Sequence, residues 1–458
     1  MGVRPTNVRR RCVACAYTDG VLFLTHARWA PSARRDASTR PRARARMRAS
    51  RDGRRLALVL ALAALGAACA RLARAPARVS VEVERAIATY AARADARTRT
   101  SACDAAPMVG EAWACARRGR GARTYPRDAE KHFGELRRAL APWSQHAAHE
   151  SHSYANATGP WIENKWIEDF EGAYDASTGC LYEFFGPFVP LFVPWTDVWL
   201  QNNRRYPRAL RRTLRRMLRP DVVYVTVSQN DQGLLGSDRA TGGMAFPNVL
   251  VFSAGGYGHV PIPLLKSSLE PLRNEKSMDE RGIDISFVGS LHTAPNDLRV
   301  RTHEALSRMN DAGTLKYSYY KGTEWRNIMA DTRVSLAPRG FGRSSFHLYE
   351  ILQMGLIPLY VYSDEPWLPF VKKNSMIKDL IIACSESEFE RTIEKIQKLS
   401  ARDLTEMESK IASLRESHFS MDGVLDHIRR FLLNQPNDLS CQALPRTVRD
   451  SKRPLFGG

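Results

Sequence analysis

Read for its alternation of apolar and polar positions, the 458-residue chain falls into three parts. Residues 56–70 (LALVLALAALGAACA) form a run of 15 uncharged, mostly apolar side chains between Arg55 and Arg71. Residues 71–125 are Ala- and Arg-rich with few large apolar side chains, the composition of a stem or linker. From about Tyr154 aromatic residues, Gly and Pro rise, and short β-branched runs alternate with stretches of helical period. The strand-like runs are 221–228 (DVVYVTVS), 248–256 (NVLVFSAGG), 284–290 (DISFVGS), 316–321 (KYSYYK), 333–338 (RVSLAP) and 356–362 (LIPLYVY). The helical stretches are 202–218, 297–310, 324–332, 346–355 and the charged tract 386–433. Strands alternating with helices predict βαβ crossovers and parallel sheets. Two such halves in succession predict an α/β fold of two Rossmann-type domains facing a cleft, bounded at 131–280 and 281–445, with a tail at 446–458.

The apolar run is shorter than the roughly 17–25 residues of a comfortable membrane helix. Snorkelling of the flanking Arg side chains extends its reach. Residues 1–55 hold 15 Arg against 3 Asp, a bias that keeps the N-terminus cytoplasmic and sends the remainder into the lumen. Residues 56–75 therefore read as a signal-anchor, behind a basic tail (1–55) and ahead of a stem (76–130). A cleaved signal peptide, an organellar transit segment and a buried helix are the competing readings. Met47 opens MRASRDGRR, a conventional start, so residues 1–46 read as an upstream extension of the gene.

Charge changes this picture little. Of the formal +20, residues 1–130 carry +17, from 27 Arg, no Lys and 10 acidic residues, which leaves +3 for the other 328. The basicity belongs to leader and stem, and no nucleic-acid partner is expected. Within the folded part, Arg208, Arg211, Arg212, Arg215, Arg216 and Arg219 recur at helical spacing, either as a solvated face or as a contact for an anionic glycan, a headgroup or a partner. Of eight Cys, Cys12 and Cys15 form an isolated pair without metal-site context. Cys103, Cys115, Cys180, Cys384 and Cys441 follow the apolar run and allow up to two disulfides in an oxidising compartment, with the pairing unreadable. Asn156-Ala157-Thr158 is a glycosylation sequon.

The densest chemistry lies at 333–370. A strand ends at Pro338, and a loop with Gly340, Gly342 and two serines delivers the chain into a helix. Glycines allow close backbone approach, free N–H groups at the helix start favour anions, and Arg339 and Arg343 add charge suited to a diphosphate. Glu350, one turn into the helix, is placed to accept hydrogen bonds from ribose hydroxyls. The pattern is neither a Walker A loop nor a G-x-G-x-x-G fingerprint. A structural βαβ unit with surface Arg is the plain alternative.

The stretch RVSLAPRGFGRSSFHLYEILQMGLIPLYVYSDEPWLPF (333–370) resembles the exostosin-type glycosyltransferases, which include heparan-sulfate polymerases and plant and algal wall-polysaccharide transferases. Weaker echoes follow the family's order in GPWIE (159–163), PLFVPWTD (190–197), VSQNDQG (227–233), GGYGHVPIPLL (255–265) and SFVGS (286–290). The resemblance implies a GT-B-type fold, a UDP-sugar donor held mainly by the second domain, an inverting reaction and a single-span Golgi anchor with a lumenal catalytic part. On this analogy Gly289 and Ser290 lie near the donor phosphates, Arg339 and Ser345 in the phosphate loop, Glu350 at the ribose and Asp364 at the cleft rim. His347 stands where members commonly carry Arg, and an imidazole lacks the guanidinium's bidentate fork. Inversion needs a general base, for which Glu163, Asp169, Asp197, Asp231 and His259 are candidates, Glu163, Asp231 and His259 foremost. Cations and a helix terminus can stabilise the leaving diphosphate, and with no Asp-x-Asp motif no obligatory metal or other cofactor is expected. The expected partners are a nucleotide-sugar, a glycan or polysaccharide acceptor and the membrane, with homo- or hetero-oligomerisation with a related transferase left open. A catalytically silent subunit that binds glycan or stabilises a partner transferase is the alternative function.

Overall fold

The computed structural model describes residues 108–442 except 117–122, 145–152, 155–156, 159–160, 178, 232, 235–247, 267, 273–275 and 373–374, together with the strands at 13–18 and 21–26. The signal-anchor at 56–75, the stem up to 107, Asn156 and the tail at 446–458 lie outside the described residues. Among the described residues no helix is long and apolar enough to cross a membrane. Two short antiparallel pairs stand by themselves: β1 (Val13–Thr18) with β2 (Val21–His26), and β3 (Ser153–Tyr154) with β4 (Ala157–Thr158).

Two parallel sheets organise the rest. The first has the order β5 (Val189–Pro190), β6 (Tyr224–Ser228), β7 (Val249–Ser253), β8 (Val260–Pro261). Every residue of β6 and β7 is buried, as expected of β-branched strands covered on both faces. The covering elements are α1 (Glu111–Ala116), α2 (Ala129–Ser144), α3 (Ile162–Ala176), α4 (Leu181–Phe185), α5 (Trp195–Gln201) and α6 (Arg208–Met217). Aromatic side chains fill this layer: Trp166 meets Phe192 with ring centroids 4.9 Å apart, and Phe133 and Phe185 each lie 5.8 Å from Phe192.

The second sheet comprises β9 (Ile283–Val288), β10 (Tyr317–Tyr320), β11 (Thr332–Pro338), β12 (Pro358–Tyr362) and β13 (Ile382–Ser385), in the order β10-β9-β11-β12-β13. The chain steps outward from β9 to β10 through α7 (Leu298–Asp311). It then crosses back through α8 (Trp325–Ala330) to β11 on the other side of β9, and α9 (Phe346–Gln353) leads on to β12. This reversal makes a topological switch point between β9 and β11, the edge at which open parallel sheets form their ligand crevices. Two parallel-stranded sheets, of four and five strands, fit a GT-B-like α/β fold.

After α10 (Phe389–Ile396) and α11 (Ala401–His418), α12 (Met421–Leu432) packs back on the first sheet's layer. Phe431 meets Phe252 of β7 edge-on at 5.7 Å, and Arg429 lies over the Phe170 ring at 5.2 Å. Gly186 passes so close that a Cβ there would lie 2.3 Å from the Leu432 carbonyl oxygen. The following segment is bonded to α1 by the Cys115–Cys441 disulfide. Cys180 is also disulfide-bonded, and Cys384 is free and buried.

Some boundaries differ from expectation. The helix expected at 202–218 starts only at Arg208, because Asn203 and Arg204 take left-handed backbone (φ +52° and +58°) and Pro207 immediately precedes it. Proline lacks an N–H and clashes with the preceding turn inside a helix, so it marks a start. Leu210 and Leu214 face inward, with the helix's arginines around them. Arg219 leaves that face: beyond the helix end it grips Asp128 with two hydrogen bonds of 2.7 and 2.8 Å. The helix expected at 346–355 ends at Gln353, and Gly355 (φ +82°) turns the chain toward β12.

Candidate functional site: the crevice at the switch point of the second sheet

The crevice floor is built from the loops that follow β9 and β11. Gly289 takes φ +144°, its N–H donates to the Tyr320 carbonyl (3.1 Å), and its carbonyl accepts the Tyr319 hydroxyl (3.1 Å). Arg299, buried in the first turn of α7, ties the two loops together. Its Nη1 donates to the Ser290 carbonyl (3.0 Å) and Thr293 Oγ1 (2.6 Å), its Nε to the Arg339 carbonyl (3.1 Å) and its Nη2 to the Pro338 carbonyl (3.2 Å). Burial draws its pKa down to about 10, so it stays charged at neutral pH, and among the described residues no carboxylate is paired with it. The sequence reading missed Arg299. The local clue is a cation in a first helical turn, which opposes the helix dipole.

The phosphate-type loop is more self-contained than its sequence suggested. Arg339 and Arg343, both 3% exposed, converge on one carboxylate: Arg339 Nη1 lies 2.5 Å from Asp364 Oδ1 and Arg343 Nε 2.7 Å from Oδ2. Arg339 also donates to the carbonyls of Gly342 (2.8 Å) and Phe341 (3.2 Å), and Arg343 stacks over Tyr257 at 4.7 Å. Burial opposes the Asp364 charge, but Arg339 and Arg343 hold the carboxyl below the usual range. The two guanidinium groups therefore shape the loop and carry a shared counter-charge, rather than standing open to a ligand. Gly340 closes the loop by donating to the Ser344 carbonyl (2.8 Å). Ser345 is the N-cap of α9, its Oγ accepting the Leu348 N–H at 3.3 Å, so the hydroxyl has a structural task.

One turn into α9, Glu350 faces a lysine and an imidazole. Lys266 Nζ lies 2.6 Å from Oε1, and His347 Nδ1 3.5 Å from Oε2. Burial works against ionisation, yet His347 and Lys266 hold the carboxyl down to about 2. It is a carboxylate throughout the physiological range, with a side chain 24% exposed. Lys266 was not foreseen, because it follows β8 of the other sheet and no spacing rule links it to Glu350. His347 Nε2 is buried without a hydrogen-bond partner among the described residues, and the ring stands against Phe287 at 6.1 Å.

The opposite wall comes from the C-terminal ends of β6 and β7. Arg343 N–H donates to the Gly255 carbonyl (3.0 Å), and Trp367 Nε1 to the Ser253 carbonyl (2.9 Å). A Cβ on Gly342 would stand 2.1 Å from the Gly255 oxygen and 3.1 Å from Asp231 Cβ, and one on Gly256 would meet the Arg343 backbone at 2.6 Å. These glycines are what let the two loops touch. Asp231, half-buried, therefore lies beside the loop of 339–345.

The other carboxylate and imidazole candidates are placed differently. Glu163 is fully buried on α3, with Oε1 accepting the Thr196 N–H (2.5 Å) and Oε2 the Gln229 N–H (2.9 Å). Burial, reinforced by Asp197, pushes its carboxyl up to about 8 against the pull of those amides. It is a keystone joining α3, α5 and the end of β6, and its place as a foremost base candidate is withdrawn. Asp197 is likewise spent, accepting from Trp161 Nε1 (3.1 Å) and Asn164 Nδ2 (2.8 Å). His259 is 4% exposed, and its Nδ1 accepts the Val251 N–H of β7 (3.1 Å), so it too is withdrawn as a base. Asp169 pairs with Lys165 on the outer face of α3 (2.8 Å). The only cluster of His, Cys, Asp or Glu whose ligand atoms lie within 4.8 Å of one another among the described residues joins His418, His427 and Asp438.

No family model and no curated protein matches the chain. Among solved structures, the crystal structure of TarM aligns with 49% of this chain and 52% of its own, at 10% identity and a TM-score of 0.29. The alignment thus spans about half of either chain, and a likeness of that size carries no argument here.

Proposed function

We propose that the protein is an inverting glycosyltransferase that moves a sugar from a UDP-sugar to a glycan or polysaccharide acceptor, with the donor seated at the switch point of the second sheet. The observation that carries this reading is the meeting, in one crevice, of the β9 loop, the β11 loop with the start of α9, and an ionised Glu350. Anionic ligands favour a helix start at the edge of a parallel sheet, and Glu350 suits ribose hydroxyls. The exostosin-type resemblance of 333–370 supports the same assignment. The orphaned Nε2 of His347 offers a further partner for a donor oxygen. Arg339 and Arg343 reach the diphosphate by exchanging Asp364 for it.

In the transfer step the acceptor oxygen attacks the anomeric carbon. Its proton passes to a base, and the bond to the diphosphate breaks with the electron pair leaving on UDP. Asp231 is the first-sheet carboxylate beside the loop, and we assign it the base role. The disulfide between Cys115 and Cys441 supports an oxidising lumen, in line with a type II Golgi protein anchored through residues 56–75. Calorimetric titration of the full chain with UDP and UDP-sugars tests the donor site: saturable binding lost in Glu350→Ala is expected, and a folded chain that binds no nucleotide overturns it. Pairing of Arg339 and Arg343 with Asp364, and of Arg343 with Glu365 (3.6 Å), favours a second reading, a silent glycan-binding subunit, which predicts folding without donor turnover.

A further inference from the structure

We propose that His418, His427 and Asp438 bind one divalent transition-metal ion, zinc by ligand chemistry, which clamps the chain's C-terminal return segment to α11 and α12. His418 ends α11, His427 lies on α12, and Asp438 belongs to the segment that carries the chain on to Cys441. Three parts of the fold thus converge on one point. One ligand atom from each residue lies within 4.8 Å of the others, and His418 Nε2 is 3.0 Å from Asp438 Oδ2. Zinc bonds of about 2.0–2.2 Å in tetrahedral geometry put ligand atoms roughly 3.3 Å apart. The His418–Asp438 edge is already at that spacing, and small side-chain rotations close the rest.

The surroundings suit a metal better than a plain ion pair. Both imidazoles are buried, 7% and 8% exposed, with ring centroids 4.5 Å apart, and Phe370 walls them at 4.9 Å each. Among the described residues the Asp438 carboxylate pairs with His418 alone, and His427 has only a long contact, 3.4 Å, from the Asp438 N–H to its Nδ1. One divalent cation satisfies both rings and the carboxylate together. The second shell is present as well: Ser417 Oγ lies 2.7 Å from His418 Nδ1, so it can orient the tautomer that leaves Nε2 for the metal. Asp438, its side chain 40% exposed, provides the entry path and a position for a water ligand. Two nitrogens and one carboxylate favour zinc over calcium or magnesium, which take oxygen ligands. Metal binding displaces to solvent any proton held on these ligand atoms.

The ion would hold the segment that also bears Asn437, whose carbonyl accepts Lys372 Nζ at 3.0 Å, and Cys441. Its role is structural and independent of the donor crevice. The full chain, stripped with a chelator, is titrated with Zn²⁺ against a chromophoric competitor and, separately, with Co²⁺ while its visible spectrum is followed. One zinc per chain is expected, with a tetrahedral Co²⁺ spectrum and a Tm raised by about 5 °C at hundredfold excess over Kd. Asp438→Asn, at a half-exposed position, and His427→Gln should each weaken zinc binding at least about tenfold. Substoichiometric zinc in the wild-type chain, or binding unchanged in both variants, overturns the proposal.

Discussion

Glu163 and Glu350 each stand near the start of a helix that faces the end of a parallel sheet, yet their surroundings drive them in opposite directions. Glu163 is enclosed, accepts the Thr196 and Gln229 amides, lies in the field of Asp197, and is pushed up to about 8. Glu350 is partly open, flanked by Lys266 and His347, and held down to about 2. Burial penalises the charge in both cases; the Lys266 ammonium and the His347 ring beside Glu350 decide the outcome. A carboxylate sealed against amides is a structural joint. One kept ionised at a crevice edge is an acceptor for ligand hydroxyls. The same contrast separates the two ends of the sheets: α3 and α5 are locked onto the first by Glu163, Asp197 and Trp161, whereas the second keeps a charged, partly exposed group.

The largest effect is expected on the sealed side. Glu163→Ala orphans two buried amides and leaves a cavity, and should lower stability by about 3–4 kcal/mol, read from the denaturant midpoint. A loss below about 1 kcal/mol would remove its role as a joint. Next, Glu350→Ala should weaken UDP binding about 100-fold, because charge-assisted hydrogen bonds to ribose are lost, while costing less stability than Glu163→Ala, because the ion pair is partly solvated. Equal losses of folding and binding would make the two glutamates alike. Asp364→Asn, which withdraws the shared counter-charge of Arg339 and Arg343, should tighten UDP binding about tenfold. Unchanged affinity would show that those guanidinium groups do not face the diphosphate.

The contrast also shows in pH. The folded pKa of Glu163, about 8, exceeds its unfolded value near 4.5, so between the two the folded chain keeps a proton that the unfolded chain releases. Its contribution therefore falls as pH rises through that window, by at most about 1.4 kcal/mol per unit, and levels off above it. Glu163→Gln should lose that slope, seen as a difference between two stability–pH curves. Glu350 acts with the opposite sign: its stabilisation is present above about 4.5 and is lost as pH falls toward 2.

Much of the second sheet was legible before the structure. β12 and α9 lie within the runs read from periodicity and turn residues, β9 and β11 start one residue ahead of theirs, and Ser345 and Glu350 lie at the cap of α9 and on it. What sequence could not supply was which neighbours each charge would meet. Arg339 and Arg343 look like free phosphate ligands until Asp364, more than twenty residues on, is found against both. Glu163 looks like a base until the amides of Thr196 and Gln229 close over it. Lys266 and Arg299 carry no motif at all.

By itself the sequence determined the alternation of strands and helices, the glycines of the crevice loop and the carboxylate on α9, since these depend on local periodicity, backbone freedom and helical spacing. Only the tertiary structure decided the strand order that places the switch point between β9 and β11, the closure of the first sheet's end and the return of α12 to that sheet. It also decided the pairing of Cys115 with Cys441 and the meeting of His418, His427 and Asp438. Each of these joins residues distant in the chain, and their contact energies exist only once the intervening segments have packed.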